Sequence, residues 1–218
     1  MTTTLVTGAN RGIGYELSKQ LKARGHDVIA VCRKSSPELD RLGVRVEAGI
    51  DVADAESDLA QRTAGTELDL LIANAGILRG DNLADLDFES VVEQLQVNAV
   101  GALRTVHALL PRLKKGGKIA LITSRMGSIA DNGSGGYYGY RMSKAALNAA
   151  GVSLARDLKP RGIAVAILHP GYVRTDMTGN QGGIAPSESA AQLIARIDAL
   201  EVANSGTFWH ANGEILPW

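Results

Sequence analysis

Seven short apolar segments alternate along the chain with longer segments in which apolar residues recur at helical spacing. The short segments are nearly continuous in Val, Ile, Leu and Ala, as strands are when helices cover both faces of a sheet. Strict alternation of strands and helices predicts an α/β domain with one parallel, doubly wound sheet. The strands are predicted at residues 3–6, 27–32, 44–48, 68–73, 118–123, 164–168 and 206–210.

The longer segments are predicted as helices at residues 12–24, 54–64, 87–114, 138–157 and 187–199. Asp87 and Ser187 are predicted as N-caps, because short polar side chains accept hydrogen bonds from the free N–H groups of a first turn. A doubly wound sheet binds its ligands outside the carboxyl ends of its strands. Functional motifs are therefore expected where the predicted strands end.

Composition argues against several classes of protein. Lys plus Arg and Asp plus Glu both number 23, and no run of four basic residues occurs, so a nucleic-acid partner is not expected. The lone Cys32 and four scattered histidines lack metal-ligand spacing, so we expect no metal and a reducing, cytoplasmic location. No segment has the roughly 18 continuous apolar residues of a membrane span or the pattern of a leader, so a soluble, unprocessed protein is expected.

The sequence TGANRGIG, residues 7–14, follows the first predicted strand and opens the first predicted helix. Gly8 permits a tight turn, while Gly12 and Gly14 let the backbone and the helix N-terminus approach a pyrophosphate without an intervening Cβ. A plain tight turn is the alternative. The strand before and the helix after favour a diphosphate-containing nucleotide.

This TGxxxGxG spacing resembles that of the short-chain dehydrogenase/reductase family, and NAG at residues 74–76 and the PG segment ILHPGYVRT at 167–175 match later family motifs. Residues 124–144 and the tail GTFWHANGEILPW resemble the carbonyl-reductase branch that includes Sniffer and the C-factor signalling proteins. The resemblance covers residues 1–218. It implies one Rossmann-type domain, with a cofactor half at about 1–115 and a catalytic and substrate half at about 116–218.

The second predicted strand ends in Cys32 and Arg33, without the acidic residue with which an NAD enzyme holds the adenosine ribose. A guanidinium can bind a 2'-phosphate bidentately, so Arg33 and Arg11 favour NADP(H) over NAD(H). Solvated surface arginines are the alternative. With the glycine loop, the resemblance implies cofactor contacts at Gly8, Asn10, Arg11, Gly12, Ile13, Gly14, Arg33, Asp51, Val52, Asn74, Ala75, Gly76, Tyr140, Lys144, Pro170, Gly171, Val173 and Thr175.

A Tyr-x-x-x-Lys pattern occurs twice, at Tyr15 with Lys19 and at Tyr140 with Lys144. Residues four apart lie on one face of a helix, so the spacing alone does not choose between the two pairs. Tyr15 follows the glycine loop inside the first helix, where its ring is expected to pack or to lie at the surface. Tyr140 follows a strand ending in ALITS and a glycine-rich loop, which favours it as the functional tyrosine.

Reduction of a carbonyl group needs a hydride at carbon and a proton at oxygen, and a phenol with a pKa near 10 exchanges protons slowly at neutral pH. A nearby cation favours the phenolate. The resemblance implies that Lys144 supplies this charge and holds the nicotinamide ribose, and that Ser124 hydrogen-bonds the substrate oxygen. A serine in a turn at the strand end is the alternative.

Asn98 lies inside a predicted helix, where asparagine is unfavourable because its side chain competes for backbone hydrogen bonds. The resemblance implies a local helix distortion at Asn98 that holds a water and completes a proton relay to solvent. An exposed asparagine on a solvated face is the alternative.

The chain departs from the family in the long separation of Ser124 and Tyr140, since the usual spacing selects Tyr137. Tyr137 is followed four residues later by Arg141, whose planar guanidinium suits a ribose contact less well than lysine does. Tyr140 is therefore preferred, and residues 131–136 are expected to form an inserted loop. The substrate pocket is expected to contain Arg125, Met126, Tyr137 and Tyr172.

The residues together favour an NADPH-dependent carbonyl reductase whose partner is a small carbonyl or alcohol compound. The short, glycine-rich segment 176–186 predicts an open site for varied substrates. A cofactor-binding signalling or regulatory protein with little turnover is the main alternative, and an epimerase or dehydratase is a third. The resemblance also implies a homo-oligomer, a dimer or tetramer, formed through the helix at 87–114.

Overall fold

The computed structural model describes all residues from Met1 to Trp218. Seven parallel strands form one sheet in the order β3-β2-β1-β4-β5-β6-β7, so the predicted seven-stranded, doubly wound parallel sheet is confirmed. The strand order reverses between β1 and β4, which is the switch point where such sheets bind ligands. The strands are β1 (Thr3–Thr7), β2 (Asp27–Cys32), β3 (Arg45–Ala48), β4 (Leu68–Ala73), β5 (Leu113–Ile122), β6 (Ala164–His169) and β7 (Phe208–His210).

Helices flank the sheet on both faces. The α-helices are α1 (Gly12–Ala23), α2 (Pro37–Arg41), α3 (Leu59–Arg62), α4 (Phe88–Leu95), α5 (Ala102–Leu109), α6 (Tyr138–Leu158) and α7 (Pro186–Asp198), and a π-helical turn (Gln96–Gly101) joins α4 to α5. Short 3₁₀ turns lie at Leu110–Arg112, Arg125–Gly127, Lys159–Arg161, Asp176–Thr178 and Val202–Asn204.

Two apolar clusters, one on each side of the sheet, form most of the core. Neighbouring strand residues divide between them: Val6 belongs to the cluster that contains α1 and α7 residues, and Leu5 to the cluster that contains α5 and α6 residues. Side chains alternate across a strand, so burial of both faces requires apolar residues at every position. This explains the continuous apolar segments. None of the helices has the length and apolar character needed to cross a membrane.

The helix predicted at 87–114 is interrupted. Asp87 is its N-cap as predicted, because the carboxylate accepts hydrogen bonds from Glu89 N (3.0 Å) and Ser90 N (3.2 Å). The π-helical turn then replaces regular α-helix, and the last helical residue before β5 is Arg112, next to Pro111. Strand β5 starts at residue 113 instead of 118, because Leu113 already pairs with β4 before a register shift.

Three other local predictions are wrong. The helix predicted at 54–64 is reduced to Leu59–Arg62, because the Asp51 and Asp54 carboxylates accept backbone N–H groups two residues on and form turns. Helix α2 was missed, although the pair Ser36-Pro37 is a common start of a helix. The N-cap of α7 is Ala185 instead of Ser187, because Pro186 occupies the first helical position.

Candidate active site

The glycine loop between β1 and α1 packs so closely that side chains are excluded at two of its glycines, Gly8 and Gly14. A Cβ at Gly8 would lie 2.8 Å from the Cα of Ala75, and one at Gly14 would overlap the carbonyl oxygen of Gly8. Gly8 also adopts φ +65°, which favours glycine. The loop therefore presents backbone to the N-terminus of α1.

Asn74 and Thr7 hold this loop in place. Asn74 Nδ2 donates to the carbonyl oxygens of Thr7 (3.0 Å) and Gly8 (3.2 Å). The Thr7 hydroxyl oxygen accepts from the N–H groups of Asn74 (3.0 Å) and Ala75 (3.1 Å). The Asn74 side chain thus braces the glycine loop, a contact that its place in a strand-ending motif did not reveal.

The N-terminus of α1 is suited to an anion. No side chain caps it, and its first turn contains no acidic residue. The free N–H groups and the positive end of the helix dipole favour negative charge at this point. A diphosphate fits a cradle from which Cβ atoms are excluded and which ends in free backbone donors.

A cleft of about 380 Å³ opens beside this cradle at the carboxyl edge of the sheet. Among the predicted cofactor residues, those that line it are Gly8, Asn10, Arg11, Gly12, Ile13, Gly14, Arg33, Asp51, Val52, Asn74, Ala75, Gly76 and Thr175. Those that do not line it are Tyr140, Lys144, Pro170, Gly171 and Val173.

Ten further residues of the cleft wall were not predicted from the sequence. A usable signal existed for Val31, Cys32, Ile50 and Ile77, which lie at or just after the ends of β2 to β4, and for the residues that adjoin the PG segment, but not for Val97 in the π-helical turn. The missed residues are Val31, Cys32, Ile50, Ile77, Val97, Arg174, Asp176, Met177, Asn180 and Pro186.

Two arginines of the cleft already face carboxylates. Arg33 Nη1 lies 3.6 Å from Asp51 Oδ2, and Arg11 Nη1 lies 3.4 Å from Asp176 Oδ2. All four side chains are more than 40% exposed, and such pairs contribute little to stability. Both guanidinium groups therefore remain available to a phosphate.

Helix α6 carries Tyr140 and Lys144, and both side chains are buried, with exposures of 7% and 4%. The Lys144 ammonium donates to the carbonyl oxygen of Ile122 (3.0 Å) and lies 5.7 Å from the centre of the Tyr140 ring. Burial lowers the pKa of Lys144 to about 8. The ammonium stays mostly protonated at neutral pH.

The pKa of the Tyr140 phenol is raised, contrary to the expectation that Lys144 lowers it. Burial raises the pKa of Tyr140 to about 12, and the nearby buried Ser124 hydroxyl, which favours the phenolate, offsets only part of that rise. The Ser124 hydroxyl therefore lies near the phenol. Tyr140 is protonated at neutral pH.

Asn98 lies within the π-helical turn and is fully buried, so the expected helix distortion is found at this residue and the exposed alternative is wrong. Its Nδ2 donates to the Ile77 carbonyl oxygen and to Ser143 Oγ (both 2.9 Å), and its Oδ1 accepts from Ile77 N (2.8 Å). The Ser143 hydroxyl donates to the Tyr140 carbonyl oxygen (2.8 Å). Asn98 thereby connects the loop after β4 to α6.

Gly76 marks the junction of the cleft with this group. A Cβ at Gly76 would lie 3.1 Å from Asn98 Oδ1 and 3.6 Å from Lys144 Nζ. Gly76 also lines the cleft. The buried residues of α6 therefore adjoin the cleft at Gly76, where a hydrogen takes the place of a side chain.

The PG segment adjoins the cleft at its carboxyl end. The Pro170 carbonyl oxygen accepts from Ser189 Oγ (2.7 Å), Gly171 has φ +89°, and Val173 is buried and pairs with Ile184. Thr175 and the neighbouring Arg174 are the members of this segment that reach the cleft wall.

The four residues predicted for the substrate pocket lie on three segments, and Arg125 and Met126 share the 3₁₀ turn after Ser124. Tyr137 and Tyr172 are exposed, at 41% and 58%, and Met126 is half-buried on that turn. The Arg125 guanidinium is held by Asp131 and Glu214 at 3.0 and 2.8 Å. Its charge thus ties the tail to the loop after Ser124.

Fold and cleft together define a Rossmann-type nucleotide-binding protein, in which a glycine cradle lies at the switch point of the sheet and adjoins a buried tyrosine and lysine. The chain belongs to the short-chain dehydrogenase/reductase family, because the family model for short chain dehydrogenase matches residues 2–183. It is therefore an oxidoreductase, as predicted.

Two curated relatives support this assignment. The chain is 43% identical over 226 residues to the 1-hydroxy-2-glutathionyl-2-methyl-3-butene dehydrogenase of Rhodococcus sp. (strain AD45), with 100% of both chains covered. It is 42% identical over 154 residues to C-signal of Myxococcus xanthus, covering 69% of this chain and 93% of that protein.

Solved structures agree. The carbonyl reductase Sniffer of D. melanogaster matches with a TM-score of 0.92 and 31% identity over 100% of both chains. The NADPH-bound carbonyl reductase from chicken fatty liver matches with a TM-score of 0.90 and 30% identity, covering 100% of this chain and 99% of that one. The resemblance to the carbonyl-reductase branch is thus confirmed.

Proposed function

We propose that the protein is an NADP(H)-dependent carbonyl reductase that interconverts an aldehyde or ketone and the corresponding alcohol. The observation that carries the proposal is the buried Tyr140–Lys144 pair. Ser124 lies near its phenol, and Gly76 separates the pair from the cleft beside the glycine loop. When bound, the reduced nicotinamide supplies a hydride to the carbonyl carbon.

The cofactor would be held along the cleft. The cradle and the N-terminus of α1 receive the diphosphate, Asp51 and Val52 lie where the adenine is expected, and the segment from Pro170 to Thr175 receives the nicotinamide carboxamide. In this assignment residues 1–115 form the cofactor half, and residues 116–218 contribute the catalytic and substrate half.

Arg33 and Arg11 support a preference for NADP(H). Their guanidinium groups are exposed and weakly paired with carboxylates, so a 2'-phosphate can replace those partners with charge-assisted bonds. The chicken carbonyl reductase similar to this chain has NADPH bound.

Tyr140 donates the proton. Its phenol is protonated at neutral pH, and an alkoxide that forms on the substrate is a stronger base than a phenolate. Ser124 donates a hydrogen bond to the same oxygen and orients it toward Tyr140. The Lys144 ammonium lies close enough to the ring to stabilise the phenolate left after proton transfer.

We assign to Asn98 the support of a proton path from Lys144 to solvent. Its amide holds the π-helical turn, Ile77 and Ser143 together beside the lysine.

The remaining assignments concern the substrate, the location and the assembly of the protein. The substrate would enter past Arg125, Met126, Tyr137 and Tyr172. A cytoplasmic location agrees with the free, buried Cys32. The proposed homo-oligomer would use the exposed apolar residues Phe88, Val92 and Leu103 of α4 and α5, and light scattering measures its mass.

The Rhodococcus relative favours a second reaction at this site. Its name describes a dehydrogenase for an alcohol that carries a glutathionyl group. Because the similarity covers both chains completely, oxidation of such a conjugated alcohol is the second candidate activity.

A substrate panel tests the proposal. Aldehydes, diketones and quinones with NADPH, and a glutathione-conjugated alcohol with NADP⁺, are assayed by nicotinamide absorbance, and each is repeated with the NAD form. We expect turnover with a higher kcat/KM for the phosphorylated cofactor, and a reduced preference in Arg33→Ala. Binding of NADPH without turnover on any compound would instead indicate a signalling protein, and a preference for NADH would refute the cofactor assignment.

A further inference from the structure

The first turn of α6 has no N-cap of its own. The N-cap residue, Tyr137, adopts a left-handed conformation with φ +53° and makes no side-chain capping bond, and the turn contains no acidic residue. Free N–H groups at a helix start require acceptors when they are removed from water. Those acceptors come from outside the helix.

Asp81 supplies them from the loop that follows β4. Its carbonyl oxygen accepts from Tyr137 N (2.9 Å), one carboxylate oxygen accepts from Tyr138 N, and the other accepts from Gly139 N (3.1 Å). The two N–H groups that the carboxylate binds lie 57 and 58 residues away from Asp81 in the sequence. Three successive N–H groups of the helix start are thus bound by one residue.

The loop that carries Asp81 is itself anchored to the neighbouring helix. The Asn98 amide binds both polar groups of the Ile77 backbone, and Gln94 Oε1 accepts from Arg79 N (2.9 Å). A Cβ at Gly139 would lie 2.9 Å from the Cα of Val91, so the first turn of α6 also rests directly on α4. Asp81 therefore fixes the helix start against a rigid support.

Tyr140 is the third residue of α6, directly after the N–H groups that Asp81 binds. Lys144 lies a full turn further on and is held separately by the Ile122 carbonyl oxygen. Loss of the Asp81 carboxylate would thus move the tyrosine while leaving the lysine anchored.

We propose that Asp81 is a positioning residue that sets the location of the Tyr140 phenol by capping α6 from outside the helix. The inference rests on the proposed role of Tyr140 in carbonyl reduction. A displacement of about 1 Å of a reacting group can lower a rate about 100-fold. Asp81 would therefore affect the chemical step more than it affects binding of the cofactor.

The test compares two capping aspartates. Asp81→Ala removes the cap on α6, and Asp87→Ala removes the two-bond cap on α4, whose first turn carries no residue of the proposed site. Each substitution is expected to lower Tm by roughly 2–4 °C. Only Asp81→Ala is expected to lower kcat, by about 10- to 100-fold, with an unchanged NADPH Kd.

Asp81→Asn, which retains one acceptor oxygen and the same shape, is expected to recover part of kcat and also serves if Asp81→Ala does not fold. Equal kcat values in the Asp81 and Asp87 variants would overturn the inference, as would a parallel loss of NADPH binding in Asp81→Ala.

A measurement without turnover separates this inference from the proposed function. The ¹³Cζ resonance of Tyr140, identified by its disappearance in Tyr140→Phe, should shift in Asp81→Ala and not in Asp87→Ala. An unmoved resonance refutes the positioning role whatever the activity. Full turnover in Tyr140→Phe would instead refute the proposed function.

Discussion

Two copies of the Tyr-x-x-x-Lys pattern nearly agree in local geometry and differ in surroundings. In α1, Lys19 Nζ lies 5.9 Å from the centre of the Tyr15 ring, and in α6 the corresponding distance from Lys144 to Tyr140 is 5.7 Å. The spacing of four residues on a helix fixes this approach in both places. Distance alone therefore does not distinguish them.

Burial distinguishes them. The Lys19 side chain is 51% exposed and pairs with Glu16, while the Tyr15 ring packs against the core as a partly buried apolar group. Lys144 is almost fully buried, pairs with no carboxylate, and donates to a backbone carbonyl beside the cleft. The α6 pair thus has a lowered lysine pKa and a raised tyrosine pKa, which α6 acquires from its packing.

The largest expected difference between the pairs is in the chemical step. Tyr140→Phe removes the proposed proton donor and should lower kcat about 1,000-fold, within the usual range for general acid catalysis, with NADPH binding retained. Tyr15→Phe, which removes a hydroxyl from the other pair, should leave kcat unchanged. Steady-state assays on the best panel substrate and NADPH fluorescence titration measure both. Comparable losses of kcat in the two variants would show that burial does not distinguish the two pairs.

A second, smaller difference is expected for the lysines. Lys144→Met removes the buried cation and should lower kcat about 100-fold and weaken NADPH binding, because a charge-assisted bond to the ribose is lost. Lys19→Met serves as the matched control and should change neither quantity. A normal NADPH Kd in Lys144→Met would show that the lysine does not hold the cofactor.

The smallest expected effect is on stability, and its sign follows from the lysine pKa. Lys144 has a pKa of about 8 when folded and an ordinary value of 10.5. Between those pH values the unfolded chain binds more protons at Lys144 than the folded chain does. The free energy of unfolding of the wild type should therefore rise with pH relative to that of Lys144→Met, by at most about 3 kcal/mol. Urea unfolding of the cofactor-free protein at pH 7.5 and 10 measures this. Lys19→Met should parallel wild type, and a parallel course for Lys144→Met would mean that burial does not perturb the lysine.

The inner strands could be predicted because they are buried on both faces, which requires apolar residues at nearly every position. The long helix could not be predicted in detail. Its π-helical turn at Asn98 and the early start of β5 at Leu113 depend on partners in β4 and in the loop after it. Local periodicity carries no information about such partners.

The cleft was predicted where motifs follow strand ends, because parallel strands bring those ends to one edge of the sheet. Contacts between distant segments were missed. The Asp81 cap on α6 joins residues 57 positions apart, and the bond between Arg125 and Glu214 joins residues 89 positions apart. Neither pair lies within a motif, so no spacing rule identifies it.

The sequence by itself determined the parallel sheet, the glycine cradle and two candidate tyrosine and lysine pairs, since each follows from local composition or from a fixed helical or strand period. Only the tertiary structure decided which pair is buried beside the cleft, which residue caps its helix, and how far its pKa values depart from ordinary ones. The physical reason is that burial and long-range hydrogen bonds depend on what packs against a residue, and distant segments supply those partners.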